Sequence, residues 1–401
     1  MRRLHLPLLI LAAACSETGE NSGAPGDASS ADASGPPLDA SVAETHPDPE
    51  PDGIAPPPCP SGSKLRDTRV TCPGAPLSPP SSFATAIVAA KPGDVVPMDG
   101  MDEPAAPCLP VFVCTPDDAP TLLFSDSPEM PSTDGVLYAD TVPKGRYRLY
   151  VYHANGASTE RKFPIVVLNQ GAATAHVSIV RRGLASPSTQ YVAQGQTVLA
   201  DFFADRAPVD VAVPAGQRVL LDAGLDALHA GQNELVHAIY DVVTDATLKI
   251  SFVTVAAATD AATATASLSL LARDVDHQRG TFPSADIILY GTSQSSGVQR
   301  LRLGANEVDA TLDGVDAPTG DAQKLLGNYG VHYHLEIPRS APTAITARGG
   351  AWGGAMRASS SIDKLAVSTT TDAVALGPLT FFDVMTAGGS NLPIDVFFVT
   401  P

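Results

Sequence analysis

No stretch of this 401-residue chain carries a catalytic or cofactor motif above background. It has neither a His-Glu-x-x-His zinc pair nor a phosphate-cradling loop. Gly291-Thr292-Ser293-Gln294-Ser295 lacks the closing glycine of the hydrolase elbow Gly-x-Ser-x-Gly, and a β-rich body does not offer the strand-to-helix setting that motif needs. No two cysteines have the Cys-x-x-Cys spacing of a redox or zinc site. Lysine and arginine are scarce, 25 against 43 acidic residues, for a formal net charge of −18. That balance argues against partners held by phosphate contacts, nucleic acid included. The acidity is spread, as expected of a solvated, exported surface.

The most specific signal lies at the start. Arg2 and Arg3 precede an apolar run from Leu4 to Leu11, closed by Ala12-Ala13-Ala14-Cys15. A membrane span needs roughly 20 apolar residues, so this shorter run reads as a cleaved secretory signal over residues 1–14. The three alanines before Cys15 resemble the lipobox of bacterial lipoproteins, with Ala12 departing from the usual leucine. The resemblance implies that the Cys15 thiol is joined to diacylglycerol and that Cys15 becomes the acylated first residue. One acyl chain holds a protein only marginally, with K of about 10⁴ M⁻¹, whereas two or more give a lasting membrane anchor. Ser16, rather than Asp, resembles the pattern of lipoproteins passed to an outer membrane. Loss of Arg2 and Arg3 with the signal takes the formal charge from −18 to −20.

Residues 15–58 form the expected tether. From Ser16 to Pro58 the chain is Ser, Ala, Gly, Asp and Pro, with acidic residues but neither Lys nor Arg. Such a segment buries too little apolar surface to offset ordering its backbone, and should stay disordered. As a flexible coil it spans roughly 35–40 Å, further when stretched by proline and self-repulsion. His46 within it reads as a solvated linker histidine.

Cys59, Cys72, Cys108 and Cys114 are an even number in an exported chain, which implies two structural disulfides. Of three pairings, Cys59 with Cys72 and Cys108 with Cys114 are favoured because short loops close more readily. Residues 59–120 read as a loop-rich, stapled cap with apolar patches at Phe83–Ala90 and Leu109–Val113.

Alternation then takes over. Tyr147, Leu149 and Val151 alternate with Arg146, Arg148 and Tyr150; Val177 and Ile179 alternate with His176 and Ser178; Leu248, Ile250 and Phe252 alternate with Lys249 and Ser251. Period-two runs broken by turns such as Asn155-Gly156 predict an all-β fold, an antiparallel β-sandwich with one face of each sheet buried. Further strands are expected at residues 263–271, 287–290, 301–303, 330–337, 345–348 and 394–399. One short helix is expected over Gln196–Arg206, where Val198, Leu199, Phe202 and Phe203 share a face opposite Asp201 and Asp205. About 280 residues of sheet exceed what one core usually serves, so two packed sandwiches, 121–258 and 259–401, are expected; the Ala-Thr run at 256–262 could instead open a strand of one larger domain.

The runs Leu123-Phe124-Ser125-Asp126-Ser127-Pro128-Glu129, Gly135–Asp140, Tyr152-His153-Ala154-Asn155, Arg182–Ser188, Arg279–Pro283 and Asn328-Tyr329-Gly330-Val331 resemble a group of uncharacterised bacterial cell-surface proteins. Several of these carry a repeat named after the N-terminal domain of copper amine oxidase. The resemblance covers about residues 121–401 and implies an envelope location and no known reaction. No such repeat is visible here, and nothing in these residues points to copper or amine oxidation.

Three constellations invite chemistry. His332, His334 and Glu336 share one strand face, and histidines at i and i+2 can chelate a metal. At ~3.3 Å per residue, however, Glu336 lies about 13 Å from His332, too far for both to bind one ion, so a hydrogen-bonded strand face is the better reading. The acidic stretches Asp309, Asp313, Asp316, Asp321 and Asp99, Asp102, Glu103 lack the spacing of a calcium loop and read as solvated loops. Trp352, the only tryptophan, lies between glycine pairs; exposed it could stack on a sugar, but burial beside tight turns fits better.

The residues assigned a role are therefore Cys15 for lipid and Cys59, Cys72, Cys108 and Cys114 for disulfides; no catalytic, cofactor or metal residue is assigned. The expected function is a non-enzymatic, membrane-anchored surface lipoprotein whose sandwich is a structural or interaction module. The alternatives are a binding protein for glycan or another envelope polymer, with Trp352 and neighbouring tyrosines as contacts, and a hydrolase of unrecognised type, which would need a concave pocket of convergent polar groups.

Overall fold

The computed structural model describes residues 59–70, 81–98, 106–291, 296–304, 310–358, 361–367, 371–390 and 392–400. The expected signal, Cys15, the tether, Cys72, Asp99, Asp102, Glu103, Asp309 and residues 292–295 lie outside the described residues. The described residues all belong to one compact unit, Ala55–Pro401. About 52% is strand and about 10% helix, so the fold is all-β.

An eight-stranded sheet forms the middle layer, in the order β10 (Val209–Val213), β9 (Ala175–Leu184), β12 (Leu235–Thr244), β6 (Gly145–Ala154), β4 (Thr121–Ser125), β14 (Arg279–Phe282), β17 (Asp313–Asp316), β18 (Asp321–Lys324). A five-stranded sheet covers one face, in the order β11 (Arg218–Leu220), β8 (Ile165–Leu168), β13 (Leu248–Ala256), β5 (Gly135–Val142), with β7 (Arg161–Lys162) on β13. A ten-stranded sheet covers the other. Its path is β1 (Ser63–Val70), β3 (Val111–Pro116), β15 (Asp286–Gly291), β19 (His332–Ala347), β22 (Asp372–Thr386), β20 (Trp352–Ala358), β21 (Ser361–Val367). Off this path, β2 (Val95–Pro97) pairs with β22, and β23 (Ile394–Thr400) pairs with both β16 (Gly297–Leu303) and β19. Pairing is antiparallel except for β4 with β6 and β15 with β19.

The middle sheet is packed on both faces, which corrects the expectation of one buried face. Along β6, Tyr147, Leu149 and Val151 enter the core shared with the five-stranded sheet. Tyr150, which read as outward, and Tyr152 enter the core shared with the ten-stranded sheet. Arg148 points the same way and is fully buried. Two sandwich-like cores therefore share one sheet, and they do not divide near residue 258. β14, β17 and β18 extend a sheet whose other strands all precede residue 245, and β15 pairs with β3.

Helix α2 (Tyr191–Phe203) buries Val198, Leu199, Phe202 and Phe203, the face the periodicity predicts, although it begins five residues earlier than the pattern suggested. It lies flat on β9 because Gly183 lets the backbones approach: a Cβ there would come 2.2 Å from the Val198 carbonyl oxygen. It is not alone. Phe83–Ala90 is largely the helix α1 (Ser81–Ala89), whose Phe83 meets Phe397 edge-on at 5.2 Å, and short helices α3 (Ala223–Asp226) and α4 (Ala261–Ala264) follow. The strand expected at 263–271 does not form: α4, capped by the Asp260 side chain on the Thr263 N–H, ends at Ala264, and beyond it only a single bridge joins Leu270 to Val136.

The region 59–120 is less loop-rich than expected, since β1 and β3 extend the ten-stranded sheet. That pairing also overturns the favoured disulfides. Leu65 lies opposite Cys114 in the ladder, and the chain ahead of it brings Cys59 within a Cα–Cα distance of 6.0 Å of Cys114, to which it is bonded. Short-loop closure is a property of the open chain; here strand pairing decides. Cys108 is also disulfide-bonded.

Candidate functional site

The residues singled out by sequence do not converge on a site. On β19, His332 Nε2 and His334 Nδ1 both reach one carboxylate oxygen of Asp383, at 2.9 and 2.7 Å, and His334 Nε2 reaches Glu336 at 3.0 Å. Arg357 Nε donates to the other oxygen of Asp383 at 2.8 Å. Burial would raise the Asp383 pKa, but the hydrogen bonds from both histidines and Arg357 hold it far below the usual carboxylate range. The face is a satisfied ion-pair network. Among the described residues, no group of three or more His, Cys, Asp or Glu is disposed to hold a metal ion.

Trp352 is 1% exposed, which removes it as a sugar contact. The acidic stretch is neutralised locally: Asp313 pairs with Lys324 at 2.7 Å, and buried Asp316 receives Arg279 at 3.2 Å. A Ser–His pair that sequence spacing could not reveal joins Ser125 Oγ to His153 Nε2 at 2.9 Å. His153 Nδ1 lies 2.9 Å from the Pro128 carbonyl, which can only accept, so Nδ1 carries the proton and Nε2 accepts from the serine. Burial pushes the imidazole pKa down to about 4. Both residues have zero exposure, so the pair is a structural clasp.

That clasp stands behind a cleft of about 540 Å³. Its back wall comes from the middle sheet: Phe124 at the end of β4, and Tyr150 and Tyr152 on β6. Alternation on β6 puts the two tyrosines on one face, and Phe124 stacks on Tyr150 at 4.8 Å. Tyr191, the first residue of α2, donates its hydroxyl to the Asn233 carbonyl at 2.8 Å, and Tyr329 donates to the Ser390 carbonyl at 2.6 Å. Gly388 admits the Tyr152 ring: a Cβ there would lie 2.1 Å from it.

The floor joins two loops. Asp274 accepts from the backbone N–H of Glu129 at 2.8 Å and of His277 at 2.8 Å, and its Oδ2 lies 3.0 Å from His277 Nδ1. His277 Nε2 is paired with Glu129. The hydrogen bond to Glu129 raises the His277 pKa to about 9, so the ring is an imidazolium between two carboxylates. Hydrogen bonds from Glu129 and His277 hold Asp274 below its ordinary value against the effect of burial.

Asp126 differs. Burial, reinforced by the charges of Glu129 and Asp274 and only partly opposed by His277, pushes its pKa well up. Among the described residues its buried Oδ1 has no hydrogen-bond partner, nor has the Tyr150 hydroxyl; both residues line the cleft. Burial likewise raises Tyr150, and Tyr329 to about 12, so the phenols remain protonated donors. Unsatisfied buried acceptors cost about 1–3 kcal/mol each, a cost that a ligand donor can offset.

None of these residues was singled out as a site from the sequence, yet Asp126, Glu129, Tyr152 and Tyr329 lie within runs that carry the resemblance to cell-surface proteins. Those runs were the available signal.

No protein-family model matches the chain, and no curated protein matches it. Among solved structures it is similar to a cupin 2 conserved barrel domain protein from Leptotrichia buccalis, at 8% identity over 79% of this chain and 100% of that one, with a TM-score of 0.16. Oxalate decarboxylase from Bacillus subtilis matches at 11% identity over 69% of this chain and 76% of that one, with a TM-score of 0.15. Vicilin from Corylus avellana matches at 10% identity over 69% and 86%, with a TM-score of 0.12. Likenesses this slight carry neither fold nor chemistry over to this chain.

Proposed function

We propose that this chain is an exported lipoprotein, held at an outer membrane or cell surface by acylated Cys15, whose β-sandwich body is a non-enzymatic interaction module that binds a glycan or another envelope polymer. The anchor rests on residues 1–15, and binding rests on the cleft. One observation carries the binding reading: Tyr152, Tyr191 and Tyr329 line a cleft whose wall also holds two buried polar atoms without a hydrogen-bond partner among the described residues, Asp126 Oδ1 and the Tyr150 hydroxyl. Its volume falls within the range of about 300–1,000 Å³ common to small-ligand sites. Tyrosine rings supply apolar faces with polar tips, and carboxylates accept hydroxyl protons, which together suit a sugar. The acidic lining disfavours phosphate-bearing ligands.

Full-length Cys15→Ser protein on a glycan array tests the reading. Binding to a defined set of glycans that Tyr152→Ala abolishes is expected; an array without hits, or hits indifferent to that substitution, contradicts it. The same Cys15→Ser change should move the protein from the detergent to the aqueous phase, and unchanged partitioning contradicts the anchor.

A hydrolytic reading has one specific observation in its favour. A carboxyl whose pKa burial pushes up, as it does for Asp126, beside a second carboxyl, here Glu129, is the pairing that general-acid catalysis uses. Prolonged incubation with array hits separates the two: intact glycan supports binding alone, and products that disappear with Asp126→Asn establish hydrolysis.

A further inference from the structure

Among the described residues, the lining of the cleft includes the acids Asp126, Glu129 and Asp276, one cationic side chain, His277, and neither Lys nor Arg. His277 is already spent, with Nδ1 on Asp274 and Nε2 on Glu129. Among the described residues, Asp126 therefore lines the cleft with no cation of its own, and its buried Oδ1 has no hydrogen-bond partner. Around it stand the rings of Phe124, Tyr150, Tyr152, Tyr191 and Tyr329.

We infer that the ligand taken by this cleft carries a protonated amine, seated between Asp126 and the tyrosine rings, so that the polymer recognised is one bearing free amino sugars. The inference rests on the cleft being the binding site. A neutral hydroxyl could hydrogen-bond to Asp126 and leave it protonated, but it brings no charge to hold the ionised form, and an uncompensated buried carboxylate is costly. An ammonium group supplies both the donor and the charge. The aromatic faces act in the same direction, since ring quadrupoles attract a cation within about 6 Å. A hard metal ion fits less well, because it asks for about six or more oxygen ligands where this cleft offers mostly rings. An aminated sugar matches the lining: its ammonium meets Asp126, its ring lies against tyrosine, and its hydroxyls meet Asp276. The groups facing Asp126 are Glu129, Asp274 and His277, so an arriving ammonium favours the ionised carboxylate and expels its proton.

Calorimetric titration of the full-length Cys15→Ser protein, with a β-1,4-linked glucosamine tetramer and with its fully N-acetylated counterpart, tests this. In a buffer acidic enough to keep the sugar amine charged, the free-amine tetramer should bind about tenfold or more tightly. Its binding enthalpy should vary with the ionisation enthalpy of the buffer, reporting proton release from Asp126. Asp126→Asn should abolish both the preference and the proton release. Equal affinity for the two tetramers overturns the amine while leaving the cleft as the site. Binding of neither overturns the amine and the glycan reading together. A preference that survives Asp126→Asn overturns the inference too, since it would mark attraction to the acidic surface at large.

Discussion

Arg148 and Asp241 lie directly opposite each other on β6 and β12 and form a two-point ion pair, Nε to Oδ1 at 2.8 Å and Nη2 to Oδ2 at 3.0 Å. The remaining nitrogen, Nη1, bridges to the ten-stranded sheet, reaching Asp286 at 2.8 Å and the Gly330 carbonyl at 3.0 Å. One buried guanidinium thus ties the middle layer to the outer one close behind the cleft. Removing one partner of a buried pair costs about 3–5 kcal/mol. Arg148→Met, which removes the partner of Asp241 and leaves Asp286 only the more distant His332 at 3.7 Å, should destabilise more than Asp241→Leu, which leaves Arg148 still paired with Asp286. Urea unfolding of both variants checks the order; equal losses would mean that Asp286 contributes nothing.

The imidazolium at His277 gives the fold an alkaline weakness. Its pKa in the fold is about 9, above the unfolded value of about 6.5. The stability it contributes is fully present below about pH 6.5 and is lost as pH rises through about 9. His277→Gln should flatten the decline of melting temperature across that window, and an unchanged slope would show that Glu129 and Asp274 do not hold the ring charged.

His237 works in the opposite direction. It is buried against Tyr150 at 4.8 Å and Tyr152 at 5.4 Å, with neither ring nitrogen bonded, and burial pushes its pKa down to about 3. The fold must keep it neutral, so the stability associated with it is present above about pH 6.5 and is lost as pH falls towards 3. His237→Phe should raise the melting temperature, by more at pH 5 than at pH 8. A gain that does not grow on acidification would contradict the buried neutral histidine.

Peptide mapping under non-reducing conditions should recover Cys59 joined to Cys114, which closes a segment with a sequence separation of 55. Cys59→Ser should cost about 2–5 kcal/mol, as expected for a loop of that length. Recovery of Cys59 with Cys72 would contradict the pairing of β1 with β3.

Sequence patterning revealed many of the strands beyond residue 121 and the apolar face of α2, because period is a local property of the chain. It could not reveal which strand faces remain open to solvent. Arg148 and Tyr150 have the composition of a solvated face, and they are buried only because Asp241, Asp286 and α2 arrive from distant parts of the chain. The start of α2 was hidden for a local reason, since Gln190 offers no side-chain cap. The cleft was the least legible feature of all. Its residues come from the segments 124–129, 150–152, 276–278, 326–329 and 388–392 and from Tyr191 and Gly304, which meet only once the order of strands in the sheets is fixed.

The most direct measurement is a structure of the chain bound to the tightest oligosaccharide from the array. The expected result places a sugar ring among Tyr152, Tyr191 and Tyr329, with a donor within hydrogen-bonding distance of Asp126 Oδ1. Density for the sugar at any other surface, with the Asp126 cleft holding only solvent, would contradict the assignment of this cleft as the binding site.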